Sequence, residues 1–176
     1  MNQRPNQNAD RVRSSGTSAE ELVRDHWAGV YRLMYRLTSN SHDAEDLTQQ
    51  SFLQAIENLD QFQPGTNLRS WLLRIATNCF LDNKRRKRPA AMDTTTFDAG
   101  AENPVDANLQ RSELAAQLQG ALMKLAETPR AIFLLRTTED MSFREIADLV
   151  GTTEVTARWH MLQARQKLLE LTEGKL

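Results

Sequence analysis

The sequence predicts an all-α fold made of two small helical domains. Seven Gly and five Pro in 176 residues are few, while Ala, Leu, Arg, Glu and Gln are plentiful, and this balance favours helix over sheet. No window shows the sustained alternation of β-branched residues that is typical of strands. An acidic segment without bases, residues 91–108, interrupts the helical pattern. We therefore expect two compact bundles of roughly 60 to 70 residues each.

The N-terminal segment, residues 1–18, is polar and rich in Asn, Gln and Arg. It has no apolar stretch that could serve as a signal peptide, so we expect a disordered tail. Nothing later in the chain approaches the roughly 18 consecutive apolar residues of a membrane span. These observations predict a cytoplasmic protein without membrane insertion.

The first domain, expected over residues 19–88, contains three predicted helices. Ser18 and Glu21 form a capping box that opens the first helix. The apolar residues then recur at the three-four spacing of a buried helix face. In the first helix they are Val23, Trp27, Val30, Met34 and Leu37; in the second, Ala44, Leu47, Ser51, Phe52, Ala55, Ile56 and Leu59; in the third, Trp71, Leu72, Ile75, Ala76, Cys79 and Phe80.

The second domain, expected over residues 109–172, follows a linker over residues 89–108. Leu114, Leu118, Ala121, Leu122 and Leu125 mark its first helix. Thr128 and Pro129 predict the N-cap and first position of the next helix, because proline is tolerated where no backbone N–H is needed.

A helix-turn-helix pattern closes this domain. Ser142 and Glu145 form a second capping box, Gly151 can supply a left-handed turn, and another helix starts near Thr153. Such motifs place the second helix in the major groove of DNA. The residues predicted to face inward are Ala157, Met161, Ala164 and Leu168. Those predicted to face the groove are Arg158, Trp159, Leu162 and Gln163, with Thr156, His160 and Arg165 nearer the phosphates. An ordinary helical hairpin is the alternative.

Charge is distributed unevenly although the formal net charge is −1. Residues 37–63 contain five acids and no Lys or Arg, whereas residues 64–90 contain seven bases and one acid. An acidic face followed by a basic one indicates two different partners. The alternatives are a solvated acidic helix start and a basic helix end, each favourable with the helix dipole.

Three stretches together resemble the extracytoplasmic-function sigma factors of bacterial RNA polymerase. The residues that carry the resemblance are 43–47 with Gln50, Phe52 and Ala55; 74–76 with Asn78, Asp82, Arg85 and Arg86; and Pro129, Arg130, 133–136, 141–147, Ala164 and Arg165. The motifs stand in the family's order between Asp25 and Leu169. The resemblance implies a transcription initiation factor, not an enzyme, that binds core RNA polymerase and promoter DNA, with an anti-sigma factor as a further partner.

The resemblance also implies roles for individual residues. The residues implied to bind core polymerase are Asp43, Glu45, Asp46, Leu47, Gln50 and Phe52. Those implied to recognise and trap the melted −10 strand are Phe62, Asn67, Arg74, Asn78, Lys84, Arg85 and Arg86. Phe62 has core packing as an alternative role, whereas Trp71 is expected in the core, with a wedge between bases as its alternative. The linker resembles the segment that runs through the RNA exit path, and a plain tether is the alternative.

Two positions depart from the family pattern in the recognition helix. Trp159 stands where a small polar residue is usual, and His160 replaces a usual Arg, which weakens a phosphate contact near neutral pH. The departure at Trp159 implies an unusual −35 sequence or a tilted docking on DNA.

Other classes of protein fit the sequence less well. A conventional helix-turn-helix regulator needs a dimer interface or an effector pocket. The N-terminal half instead shows an acidic segment followed by a basic run. An enzyme acting on nucleic acid is disfavoured because no P-loop, dinucleotide fingerprint or nucleophile elbow is present. The histidines His26, His42 and His160 show no metal-ligand spacing, so we expect no cofactor. Cys79, the one cysteine, lies beside Phe80 and is predicted to be a buried packing residue.

Overall fold

The computed structural model describes residues 18–63, 65–87 and 109–172. Its helices are α1 (Ala19–Thr38), α2 (Ser41–Glu57), a 3-10 turn (Leu59–Gln61), α3 (Leu68–Lys87), α4 (Leu109–Met123), α5 (Glu127–Thr138), α6 (Phe143–Val150) and α7 (Glu154–Thr172). No strand occurs in these ranges, and the all-α prediction is confirmed. The predictions for the N-terminal tail, except for Ser18, and for the linker lie outside the described residues.

The first bundle consists of α1, α2 and α3. The capping box that opens α1 is confirmed: the Ser18 side chain accepts from the backbone N–H of Glu21, whose carboxylate accepts from the Ser18 N–H. Ser39 ends α1 in a left-handed conformation, with φ of 54°. Asn40 then caps α2 by accepting from the N–H of Asp43 at 2.9 Å. These caps fix the tight corner between α1 and α2 because they satisfy backbone groups at both helix ends.

The core of this bundle is broader than the predicted stripes. Leu22 and Leu33 are buried as well as Val30, Met34 and Leu37, whereas Val23 and Trp27 are only partly buried. Helix α1 contacts α4 and α5 as well as α2 and α3, so neighbouring helices cover more of its residues. Hydrophobic spacing within one helix defines a single face, so it could not indicate the second set of neighbours.

The second bundle consists of α4 to α7, and α7 packs against the other three helices. The predicted start of α5 is wrong. The helix begins at Glu127 with Ala126 as an N-cap that makes no side-chain hydrogen bond. Pro129 is therefore its third residue, still within the first turn, where helical N–H groups have no intrahelical acceptor. In α4, Leu118 is 43% exposed, whereas Ala121 and Leu122 are buried.

The two bundles pack against each other. Helix α1 contacts α4 and α5, and α3 contacts α5 and α6. Arg130 of α5 is buried and donates to the carbonyl oxygen of Leu37 at the end of α1. Gln119 of α4 donates to the carbonyl of Arg36 at 3.1 Å. Within the described ranges, no helix has an apolar stretch long enough to cross a bilayer.

Candidate nucleic-acid interface

The helix-turn-helix of the second bundle is set by local hydrogen bonds. Glu145 accepts from the Ser142 backbone N–H at 2.8 Å and from its hydroxyl at 2.6 Å, which lowers the pKa of the Glu145 carboxyl. Gly151 ends α6 with φ of 71°, a left-handed conformation that costs glycine little because it has no Cβ. The chain can then turn sharply into α7. Both the capping box and the glycine turn were predicted and are confirmed.

Helix α7 presents the face that the sequence predicts. Ala157, Met161, Ala164 and Leu168 are its buried residues, as expected. The outward positions Arg158, Trp159, Leu162, Gln163 and Arg165 are exposed, and Thr156 and His160 are partly buried. The predicted base-facing and phosphate-facing side chains therefore lie on one accessible surface.

Arg158 is held against the protein at the start of this surface. Its Nη2 lies 2.6 Å from Oε1 of Glu154, one turn earlier, and its Nε lies 3.2 Å from the same oxygen. Its guanidinium also lies over the ring of Phe143, 4.7 Å from the centroid. Cation–π and ionic contacts together restrict the rotamers of this side chain. The contact with Phe143, fifteen positions away in α6, could not be predicted from helical spacing because it joins two helices.

One exposed residue was missing from the predicted surface. Val155 is 78% exposed and lies one turn before Trp159. The sequence signal was present, since residues at i and i+4 of a helix share a face.

The predicted −10 surface lies on α3 and the loop before it. Asn67 is exposed and accepts from the backbone N–H of Ser70 at 3.1 Å, so it caps the start of α3. Arg74 and Asn78 are exposed. Arg85 is exposed and lies 3.5 Å from the carboxylate of Asp82. The side chains of Lys84 and Arg86 lie outside the described part of the chain.

Phe62 does not form an open wall for a base in this structure. It is 8% exposed, and its ring centroid lies 5.5 Å from that of Trp71, with the rings tilted. Trp71 is itself partly buried against the core. Trp71 therefore packs against the core as expected, and Phe62 is buried as its core-packing alternative describes, because each ring gains from burial.

The acidic surface lies on the first turns of α2. Glu45, Asp46 and Gln50 are exposed, and Asp43 is partly exposed. Asp46 also lies 3.7 Å from the His42 ring. Leu47 and Phe52 are buried, at 2% and 3% exposure, as the spacing of the second helix predicts, and Phe52 stacks on Trp27 with centroids 5.4 Å apart. Both side chains pack in the core beneath the acidic surface, and their contact with polymerase stays a prediction.

A polar cavity of about 210 Å³ lies between α2 and α3, and the sequence did not indicate it. Its lining residues are Gln50, Gln54, Cys79, Asp82 and Asn83. Cys79 is buried, as predicted, and its Sγ lies 3.3 Å from Oε1 of Gln54. Burial raises the pKa of the thiol, so it stays protonated and unreactive near neutral pH. Among the described residues, no group of three or more His, Cys, Asp or Glu is arranged to hold a metal ion.

Comparison with known proteins matches both bundles to established families. The family model for Sigma-70 region 2 matches residues 22–90, and the model for Sigma-70, region 4 matches residues 115–168.

Curated relatives match across both bundles. The chain is 41% identical to the ECF RNA polymerase sigma factor SigE of Mycolicibacterium smegmatis over 86% of this chain and 60% of that protein. It is 30% identical to SigW of Bacillus subtilis over 79% of this chain and 80% of SigW. It is 32% identical to the sigma factor CarQ of Myxococcus xanthus over 92% of this chain and 94% of CarQ.

Solved structures show the same fold. The sigma factor RpoE of Bartonella quintana, crystallised with the anti-sigma factor NepR, aligns with a TM-score of 0.69 at 22% identity, over 89% of this chain and 98% of RpoE. CnrH, in complex with the cytosolic domain of CnrY, aligns with a TM-score of 0.67 at 24% identity, over 96% of both chains.

Proposed function

The chain belongs to the extracytoplasmic-function sigma factors of RNA polymerase, and we propose that it divides the sigma factor's work among three surfaces. Helix α7 reads the −35 element, α3 holds the opened −10 strand, and the start of α2 docks on core polymerase. The domain boundaries expected from the sequence, 19–88 and 109–172, belong to the same proposal. The observation that carries it is the capped helix-turn-helix that presents the outer face of α7.

The −35 contact is proposed for the second bundle. A helix that follows a tight glycine turn can enter the major groove with its first turns. Gln163 can pair with adenine through two hydrogen bonds, and Arg165 can neutralise a phosphate. Thr156 and His160 lie at the edge of the outward face, nearer the core, which suits contacts with the backbone of the DNA.

The −10 contact is proposed for the outer face of α3. Arg74, Asn78 and Arg85 are exposed along this helix, one to three turns apart. Their spacing suits a helix that follows a single strand, because cations and amides can bind successive phosphates. Asn67 stands at the start of the same helix and can contact an extruded base there. In this closed packing Phe62 and Trp71 support that loop from the core side.

Polymerase docking is proposed for the exposed carboxylates at the start of α2. Glu45 and Asp46 point outward from a helix fixed to the core through Leu47. The family's docking surface on polymerase is basic, so complementary charge would speed the encounter between the two proteins. The similar structure of RpoE, crystallised with the anti-sigma factor NepR, supports the proposal of an anti-sigma partner for this chain. We expect the protein to act in the cytoplasm, where polymerase and DNA are found, and to catalyse nothing itself.

The decisive experiment is run-off transcription with purified core polymerase over a randomised promoter library. We expect promoter-specific transcripts only when this protein and core polymerase are both present. Gel shifts of the same DNA without polymerase separate this function from that of a conventional regulator, which would bind tightly by itself. Specific initiation by core polymerase alone, or tight operator binding without polymerase, would refute the proposal.

A further inference from the structure

Helix α7 carries an apolar ridge on the surface proposed to meet DNA. The ridge is formed by Val155, Trp159 and Leu162, which are 78%, 55% and 62% exposed. At 3.6 residues per turn the three side chains lie within an arc of about 60°. The ridge is opposite the buried residues Ala157 and Ala164, so the packing of the second bundle does not cover it. Large apolar side chains grouped this way on a surface indicate a binding site.

Basic residues flank the ridge on both sides. Arg165 lies along one edge of the helix, beside the ion pair of Arg158 with Glu154, and His160 and Lys167 lie along the other, by the same helical geometry. The major groove of duplex DNA is complementary to this arrangement, because its floor of base edges lies between two negatively charged phosphate backbones. An amphipathic helix of a partner protein would cover the apolar ridge but would not by itself need cations on both edges. The charge pattern therefore favours duplex DNA as the occupant.

The orientation of two side chains strengthens this argument. The Trp159 indole packs against the edge of the His160 ring, with centroids 5.0 Å apart. Arg158 is held back by Glu154 and Phe143, so its guanidinium does not lie across the ridge. The indole is consequently the largest group that the first two turns of α7 can offer to the floor of a groove.

We propose that Trp159, with Val155 and Leu162, reads thymine methyl groups in the −35 element. The C5-methyl of thymine is the one apolar group among the base-edge features that distinguish the four base pairs in the major groove. Covering it with an indole removes apolar surface from water without leaving a polar base atom unpaired. The −35 element of this protein therefore contains at least one A·T pair that is recognised by packing. This inference rests on the proposed function of α7.

The test replaces thymine by deoxyuridine, which removes only the methyl group. The full-length protein and core polymerase first select a −35 element from a randomised library, and each thymine in it is then changed singly. At the position that Trp159 reads, we expect binding to weaken on the order of fourfold, as loss of one buried methyl-sized group implies. Trp159→Ala should bind the two DNAs equally at that position.

Leu169→Ala is the matched control. Leu169 is also apolar and 56% exposed on α7, but lies two turns beyond Leu162, about 21 Å along the helix from Val155. This variant should keep the full preference for thymine over deoxyuridine. The comparison made with the unaltered protein does not depend on how any variant folds.

Three results would overturn the inference. They are a selected −35 element without A·T pairs, equal binding of thymine and deoxyuridine by the unaltered protein, and an unchanged thymine preference in Trp159→Ala. The last result combined with loss of binding to a partner protein's helix would assign the ridge to that protein. Absence of any polymerase-dependent initiation would instead refute the proposed function, so the two failures are distinguishable.

Discussion

The buried guanidinium of Arg130 donates to the carbonyl oxygen of Leu37 and so joins the two bundles. The same guanidinium donates to the carbonyl of Leu125 at 2.8 Å, within its own bundle. Burial lowers the pKa of Arg130, with a partial opposing effect from Glu127. One side chain therefore both closes the turn between α4 and α5 and binds the end of α1.

This packing has a consequence for promoter binding. Elements centred at −35 and −10 are 25 base pairs apart, or about 85 Å of B-form DNA. A compact chain of this length has a radius of gyration of about 16 Å. The proposed binding of both elements at once by α3 and α7 therefore requires the two bundles to separate.

Separation can be measured by energy transfer between dyes placed on α2 and α7. We expect high transfer in the free protein and a large decrease when core polymerase and promoter are added. Arg130→Met combined with Gln119→Ala should lower transfer in the free protein, because the hydrogen bonds that join the bundles are lost. Arg144→Met, at an exposed position of α6, is the control and should behave like the unaltered protein. Equal transfer in the free and promoter-bound states would contradict this prediction.

The ion pair between Arg69 and Glu139 is a second contact between the bundles. The Glu139 side chain is 8% exposed and that of Arg69 is 57% exposed, so solvent screens the pair partly. A double-mutant cycle with Arg69→Gln and Glu139→Gln should give a coupling free energy of about 0.5 to 1 kcal/mol. The coupling, measured by urea unfolding, should decrease at high salt. A coupling of zero at low salt would indicate that the pair does not hold the bundles together.

The capping box of α6 predicts a pH-dependent stability. Hydrogen bonds from Ser142 depress the pKa of Glu145 in the folded protein, below its ordinary value of about 4.3. The stabilisation is therefore present above that value and is lost as the pH falls through the folded pKa. Glu145→Gln should show a smaller loss of stability between about pH 5 and pH 3 than the unaltered protein.

Ser142→Ala should lower the free energy of unfolding by about 1 kcal/mol at neutral pH, because an N-cap is lost. Asp148→Asn, at an exposed position of the same helix, is the control for removal of charge. Urea unfolding followed by circular dichroism measures all three variants. Identical acid profiles for Glu145→Gln and the unaltered protein would show that the carboxylate has no stabilising role.

The acidic start of α2 predicts a change in polymerase association. Asp43→Asn, Glu45→Gln and Asp46→Asn together should slow association several-fold at low salt and flatten its salt dependence, because electrostatic steering is lost. Single changes should have little effect, since an exposed ion pair contributes only about 0.2 to 1 kcal/mol. Glu57→Gln with Asp60→Asn, both exposed near the other end of α2, removes two charges elsewhere and is the control. If the triple variant and the control associate at the same rate, docking lies elsewhere.

Residues that contact phosphates and residues that contact base edges should respond differently to mutation. Arg85→Ala should weaken promoter complexes regardless of sequence and reduce the salt slope by about 0.7 to 0.9 for a lost phosphate contact. Gln163→Ala should relax preference at one or two −35 positions, at a cost of roughly 1 to 3 kcal/mol for a lost bidentate contact. Binding to a panel of −35 variants at several salt concentrations measures both effects. If Gln163→Ala weakened binding to all −35 variants equally, Gln163 would not be a base-reading residue.

Local chemistry in the sequence was enough to predict the helices and the inward face of α7. Capping boxes, the turn at Gly151 and three-four spacing act between residues a few positions apart, so they can be recognised without the fold. The start of α5 was predicted two residues too late from Pro129, because proline is compatible with any position of a first turn. The sequence alone thus determined the two helical bundles and the helix-turn-helix.

Tertiary structure decided what lies between those elements. The bond from Arg130 to Leu37 joins residues 93 positions apart, and the burial of Phe62 depends on where Trp71 stands. Apolar residues in a motif can serve a partner or the core equally well, as Leu47 and Phe52 illustrate. Which role they take depends on the faces that neighbouring helices cover, and periodicity within one helix does not carry that information.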